Sequence, residues 1–328
     1  MKEYDKVAQR LSRHPLLRYT LRRLLALLPV LLGVTFLAYG LMYLSPSDPV
    51  EMLLQAQGIP VSETVVEAMR HKAGLDRPFL TQYLDWLWRF VRGDMGTSLV
   101  DGRSVAAQLC LALPKTLALT LTSVLMTVAL SVPLGILTAV CQGRFIDYLL
   151  RFLSFLGNSL PNFLVSLLLL QLFAVKLKLL PVLASETAEG LILPTLALAI
   201  PMTGKYIRQV RAAVLEQLGR SYVDGAISRG IRLRTVLFHD VLRNAMVTIV
   251  TLISMSIGSL LGGSAAVERI FVWRGMGYLV MDAILKRDYP VIQAFVVCMS
   301  VIYVVINLLT DLSYYFLDPR IRRGREVS

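Results

Sequence analysis

The side chains able to do chemistry are few in this sequence, and they stand far apart. His14, His71 and His239 are its histidines, and Cys110, Cys141 and Cys298 its cysteines. A transition-metal site needs three or four such ligands at short, matched spacings. No pair here has that spacing, and no Cys-x-x-Cys or disulfide framework exists. Thr203-Gly204-Lys205-Tyr206 has the outline of a phosphate loop. It lacks the upstream glycine and the hydroxyl after the lysine that would reach magnesium. His-Glu-x-x-His and Gly-x-Ser-x-Gly are both missing, so neither a membrane protease nor an esterase finds support. The expectation is a non-catalytic chain with no metal site and no cofactor of its own.

What remains is a set of polar residues inside or at the ends of apolar runs. An unpaired polar group in lipid is costly, so such residues bond to one another or face a water-filled passage. Asn158, Asn162, Gln171, Ser254, Ser256, Glu268 and Gln293 are the candidates for lining a passage. Asn158 and Asn162 stand on either side of Pro161, while Glu268 and Gln293 stand near the ends of their runs. Asn307 and Asp311 are four apart, hence on one helical face, where a hydrogen-bond network between helices is the simpler role.

The elements that must position these residues are set by composition. The chain is 55% hydrophobic and 17% charged over 328 residues, with a mean hydropathy of +0.62, whereas soluble domains run near ~45–50% apolar and ~25% charged. Lipid is therefore the expected solvent, and a helix needs about 20 apolar residues to cross it. Six runs reach that length: Leu24–Leu44, Thr116–Val140, Leu149–Val175, Leu191–Arg208, Val247–Val267 and Val291–Leu317. The first is followed by Ser45-Pro46-Ser47-Asp48 rather than a cleavage site, so it reads as an anchor. Pro161 interrupts the third run, and Pro194 and Pro201 the fourth; such helices belong inside a bundle where neighbours re-satisfy the freed backbone. Gly258 to Gly263 places small residues four apart, which lets helices approach closely or forms a hinge.

Charge orients the runs. The tail 1–23, the segments 141–151 and 205–246 and the tail 318–328 hold 21 of the 34 lysines and arginines. By the positive-inside rule these four segments, and both termini, are expected in the cytoplasm. No basic patch with interleaved aromatics appears, so a nucleic-acid partner is not expected. Residues 45–115 then form an extracytoplasmic segment. Within it Tyr83, Leu87 and Phe90 recur at helical spacing beside Trp86 and Trp88, which predicts an interfacial helix resting on lipid or on a partner.

The cytoplasmic segment 221–244 is polar yet helical in texture. Ser221 and Asp224 resemble a capping box with a short acid. Gly230 predicts a bend between two short helices. Beyond it Leu233, Val236, Leu237 and Val241 share a face, with Arg232, Arg234 and Arg243 on others. On physics alone this amphipathic basic stretch could equally lie on anionic lipid.

The same segment resembles the Glu-Ala-Ala-x-x-x-Gly loop of ABC importer permeases, with Asp224-Gly225-Ala226 and Gly230 at the matching positions. Further motifs match the dipeptide, oligopeptide and nickel branch in order along the chain. They include Arg22-Arg23-Leu24-Leu25, Pro46-x-Asp48-Pro49, Gly74-Leu75-Asp76-Arg77-Pro78 and Gly93-Asp94-Met95-Gly96-Thr97-Ser98. Leu242-Arg243-Asn244-Ala245, Trp273-Arg274-Gly275-Met276-Gly277, Arg287-Asp288-Tyr289-Pro290 and Asp318-Pro319-Arg320 continue the series. Arg274 stands where that family usually has proline, which puts the rigidity of its loop in question.

The resemblance implies an all-α type I ABC importer transmembrane domain. Its six helices would be the first helix, 24–44, and a five-helix core over 116–317, with the extracytoplasmic segment 45–115 between them. It implies that 221–244 is a coupling helix seated on a cytosolic ATPase, with Asp224, Gly225, Ala226, Gly230, Leu233, Leu237, Arg243 and Asn244 as the coupling residues. It also implies a paralogous permease subunit completing the pore, two ATPase subunits that hold ATP and magnesium, an extracytoplasmic binding protein, and a bacterial inner membrane. The cargo expected is nickel or a metal chelate, with short peptides as the alternative. A self-contained channel or secondary transporter is the rival class.

Overall fold

Inside lipid a backbone must bond to itself, and a helix does this within one segment. The computed structural model describes residues 15–44, 50, 51, 54, 62–184 and 187–317. Among these no strand forms; one isolated antiparallel bridge joins Thr97 to Ser104. The helices are α1 (Pro15–Tyr43), α2 (Glu63–Ala73), α3 (Phe79–Val91), α4 (Val105–Val140), α5 (Phe145–Ser159), α6 (Asn162–Leu169), α7 (Ala188–Leu218), α8 (Ser221–Ser228), α9 (Leu233–Gly263), α10 (Ala265–Ile270), α11 (Met276–Lys286) and α12 (Tyr289–Leu317). Residues 1–14 of the N-terminal tail, the C-terminal tail, the Pro46–Pro49 motif, the stretch 55–60 and the Asp318-Pro319-Arg320 motif lie outside the described residues. The chain divides into two units, residues 1–110 with 282–308, and residues 111–281 with 309–328.

Six uninterrupted spans are not what forms among the described residues. α4, α7, α9 and α12 are each long and apolar enough to cross a bilayer. The third expected span is instead α5 and α6, bent by 100° at Leu160–Pro161. Proline pushes the residue before it out of the helical region, and Leu160 is extended, with φ −85° and ψ 129°. α6 then continues as a π-helical turn over Leu170–Lys176. The described apolar part of α1, Leu28–Tyr43, is shorter than the ~20 residues a span needs. α4 begins eleven residues before the expected Thr116 and includes Pro114 and Pro133. α7 likewise runs through Pro194 and Pro201 and continues ten residues past Arg208.

In the unit of residues 111–281, α5 and α7 approach closely. A Cβ on Gly204 would sit 2.5 Å from the Ser154 carbonyl oxygen and 3.0 Å from the Asn158 nitrogen. The glycine of the false phosphate loop is thus what allows two backbones to touch. Gly135 does the same for α4 on α7, where a Cβ would meet Val210 at 2.6 Å. Gly262 and Gly263, from the small-residue pattern, have nothing within 4 Å of such a Cβ, so no close contact forms at these two among the described residues.

At the foot of α5, Asp147 is 1% exposed. Its Oδ1 accepts from Arg211 Nε at 3.0 Å, and its Oδ2 from Arg211 Nη2 at 3.1 Å and Gly143 N at 3.1 Å.

In the other unit α3 packs its Tyr83 face on α1 rather than on lipid. Tyr83 Oη and Thr35 Oγ1 are 2.9 Å apart, and Phe36, Tyr39 and Phe79 ring the tyrosine at centroid distances of 5.4–6.5 Å. The stripe left exposed is Leu80, Leu84, Trp88 and Val91. The interfacial helix is therefore rotated from the expected orientation. Tyr83 finds a buried hydroxyl partner, which suits the polar tip of a tyrosine.

Candidate functional site

The segment 221–244 begins with α8, two turns long. Its N-cap is Arg220 with no side-chain cap bond, and Asp224 is exposed, so the expected capping box does not form. Tertiary burial holds the helix instead. Val223 and Ala226 enter a core with Val210, Ala213 and Val214 of α7 and Val236, Leu237, Val241, Ala245 and Ile249 of α9. Gly230 follows with φ +82°, a left-handed conformation that suits glycine. The bend is as expected, but no second short helix follows it. Leu233 opens α9, which runs without interruption through a π-helical turn at Leu237–Val241 to Gly263.

The coupling candidates therefore divide by burial. Ala226 and Leu237 are buried in their own subunit, whereas Asp224, Gly225, Gly230, Leu233, Arg243 and Asn244 are exposed. Sequence reasoning missed the apolar part of the outward face: Tyr222, Ile227, Ile231 and Phe238, the last 64% exposed. Amphipathic phase gave no signal for Tyr222 and Ile227, since they flank the equally apolar Val223 and Ala226 on a helix of only two turns. Beside this face a cavity of about 480 Å³ is lined by Ala139, Gln142, Leu215, Leu218, Leu233 and Leu237.

The passage candidates differ in burial. Asn158 and Gln171 are exposed, and Asn162 and Ser254 half-buried. Ser256 is buried and bonds to the hydroxyl of Tyr206, which also donates to the Leu252 carbonyl at 2.7 Å. Gln293 is 4% exposed, with Nε2 3.2 Å from Met42 Sδ. It borders a cavity of about 280 Å³ shared with Tyr39, Arg89 and Asp94. Asn307 is half-buried, and the side chain of Asp311 lies outside those described.

Glu268 is fully buried, so within this subunit it faces protein rather than a passage. Its Oε1 accepts from Thr116 Oγ1 at 2.8 Å and Ser264 Oγ at 3.1 Å, and its Oε2 from Tyr278 N at 3.0 Å. Burial pushes this carboxyl above the ordinary range, and these donors with Gly277 N pull it back. Around it the loop 271–275 is pinned: Trp273 Nε1 donates to the Lys115 carbonyl at 3.0 Å, and Met276 N to Thr116 Oγ1 at 2.7 Å. A Cβ on Gly275 would lie 2.4 Å from Thr116 Oγ1 and 2.5 Å from Glu268 Oε2. The loop thus holds its shape with Arg274 where proline was expected.

Comparison with known proteins agrees with this architecture. Residues 131–323 match the family described as binding-protein-dependent transport system inner membrane component, and residues 16–120 match its N-terminal family. The oligopeptide transport system permease protein AppB of Bacillus subtilis is 37% identical, over 92% of this chain and 98% of its own length. The metal-staphylopine import system permease protein CntB of Staphylococcus aureus is 35% identical, over 94% and 99%. The glutathione transport system permease protein GsiC of Pectobacterium atrosepticum is 36% identical, over 94% and 99%. In fold, the chain resembles the inward-facing MetNI methionine ABC transporter, with a TM-score of 0.54 at 17% identity, covering 64% of this chain and 96% of that one. With a buried helical core, a short outward-faced helix between two long ones and family matches along most of its length, the chain belongs to the binding-protein-dependent inner-membrane permeases, the membrane subunits of ABC importers of the peptide and nickel family.

Proposed function

We propose that this permease forms half of a pore, completed by a paralogous subunit, and that α8 is its coupling helix. The observation that carries this is the two-sidedness of α8. Val223 and Ala226 are locked into the α7–α9 core, while Tyr222, Asp224 and Ile227 point away from it. A helix anchored by one face can move its own bundle when a partner moves the other. On this reading two cytosolic ATPases bind ATP and magnesium, seat the exposed face of α8 and close. An outside binding protein delivers the cargo. A ligand shifts a two-state pore only by its differential affinity for the two states, so ATP and the binding protein must supply the bias.

The cargo we assign is a metal chelate rather than a bare nickel ion. Among the described residues no group of three His, Cys, Asp or Glu side chains could hold a metal, whereas a chelate brings its own ligands. Short peptides are the second reading, supported by the relatives named for oligopeptide and glutathione transport. Family membership argues against a self-contained channel or secondary transporter.

The test is Ile227→Glu in the assembled importer. Capture of the ATPases should fall by about tenfold or more, as for loss of an interface hot spot. Full capture with full uptake would reject the coupling role. Mass spectrometry of the cognate binding protein with its native ligand addresses the cargo: a metal-free peptide would overturn the chelate and leave the importer reading intact.

A further inference from the structure

We propose that the Asp147–Arg211 ion pair is a positioning strut, carrying displacement of α8 through α7 into α5 and so to the break at Leu160–Pro161. This rests on the coupling role of α8. The pair is costly to keep: a buried carboxylate is destabilising unless paired and hydrogen-bonded. Asp147 is 1% exposed and Arg211 19%. Arg211 Nε donates to Asp147 Oδ1 at 3.0 Å and Nη2 to Oδ2 at 3.1 Å. A two-point fork fixes direction as well as distance, which an apolar contact does not.

Its place in the chain of contacts is what assigns the role. Arg211 is flanked on α7 by Val210, Ala213 and Val214, which belong to the same buried cluster as Val223 and Ala226 of α8. The turn of α7 that enters the cluster anchoring α8 is thus the turn that holds Asp147. One further attachment stops α5 from sliding. Gly204, seven residues back along α7, has the backbone of Ser154 and Asn158 against it. Seven residues is about two helical turns, so α5 is held at its foot and again two turns on. A helix held at two such points moves with its partner as one body. That body ends at Ser159, where the chain turns by 100° into α6. Asn158 and Asn162 flank the turn, so a shift of α8 arrives between them.

A purely structural pair would also be buried and bidentate, so the test must read coupling. The complete importer is reconstituted in proteoliposomes with Asp147→Asn or Arg211→Lys in this chain and all partners unaltered. Both complexes should assemble and hydrolyse ATP within about twofold of the parent, while uptake per ATP falls about tenfold, the range open to coupling networks. Arg211→Lys retains the charge and loses the fork, so it reports on direction even if Asp147→Asn fails to assemble. Unchanged uptake per ATP in either assembled variant overturns the strut. So does a parallel fall of hydrolysis and uptake, or failure of both variants to assemble, each of which marks a role in folding alone. Ile227→Glu separates this from the coupling reading. Normal ATPase capture and uptake in that variant removes the coupling role itself, whereas a negative result at Asp147 and Arg211 leaves that role standing.

Discussion

A carboxylate at the end of an apolar run looks like a passage residue until its neighbours are known. The neighbours of Glu268 are Thr116, Ser264, Gly277 and Tyr278, all donating to it. Glu268→Ala would leave those donors buried without an acceptor. The expected cost is at least about 3 kcal/mol, read as a lower melting temperature of the purified permease. Glu268→Gln keeps one acceptor and cannot titrate, which exposes the sign of the pH effect. Burial raises this carboxyl in the folded protein, so the folded state binds the proton more tightly than the unfolded one. Stability from this group is then complete below the ordinary carboxyl value and lost as pH rises through the raised one. Melting curves should show the parent losing ground to Glu268→Gln over that window. A parent that instead gains on Glu268→Gln as pH rises would refute the assignment.

Elements are where the sequence was most and least legible. Apolar length pointed to α4, α7, α9 and α12 but missed where α4 and α9 begin, and Pro161 marked the break in the third span. The 100° angle did not follow, because it depends on what α7 offers α5 to pack against. Gly204 read as part of a false phosphate loop, since its use is set by the backbone of Ser154 and Asn158, some fifty residues away. The phase of α8 was illegible for a different reason: two turns are too few for periodicity to separate Val223 and Ala226 from Tyr222 and Ile227. Hence Ala226 and Leu237 entered the candidate site although they anchor it from behind. These packings give a prediction for the α5–α7 element. Gly204→Ala places a methyl 2.5 Å from a carbonyl oxygen that has no rotamer to change. Overpacking of this kind costs about 1–3 kcal/mol, measurable as a drop in melting temperature. Gly262→Ala, with open space around it, should leave the purified subunit unchanged. Equal effects at the two glycines would show that α5 and α7 are not in contact.

For the whole molecule, sidedness turns on the bent pair α5–α6. If it crosses the membrane, α4 and α5–α6 together return the chain to the side it left. α7 then brings α8 out on the same side as the basic loop 141–144. If it only dips in and returns, α8 emerges opposite that loop, and the basic segments 141–151 and 205–246 are split between two compartments. The positive-inside rule penalises that split, so we expect the pair to cross, with 177–187 outside and α8 in the cytoplasm. Each half holds about fifteen helical residues, roughly 22 Å at the helical rise. Neither spans the hydrocarbon core alone; bent by 100°, the two together reach roughly 28 Å end to end, close to the ~30 Å of that core. Single cysteines decide between the two cases, placed in a chain whose three native cysteines are replaced by serine. Leu179 and Arg229 are both exposed and accept the probe without disturbing a core. In intact cells an impermeant maleimide should label Leu179→Cys and spare Arg229→Cys, which reacts only after permeabilisation. Labelling of Arg229→Cys from outside would place α8 beyond reach of any cytosolic ATPase, and the coupling role would go with it.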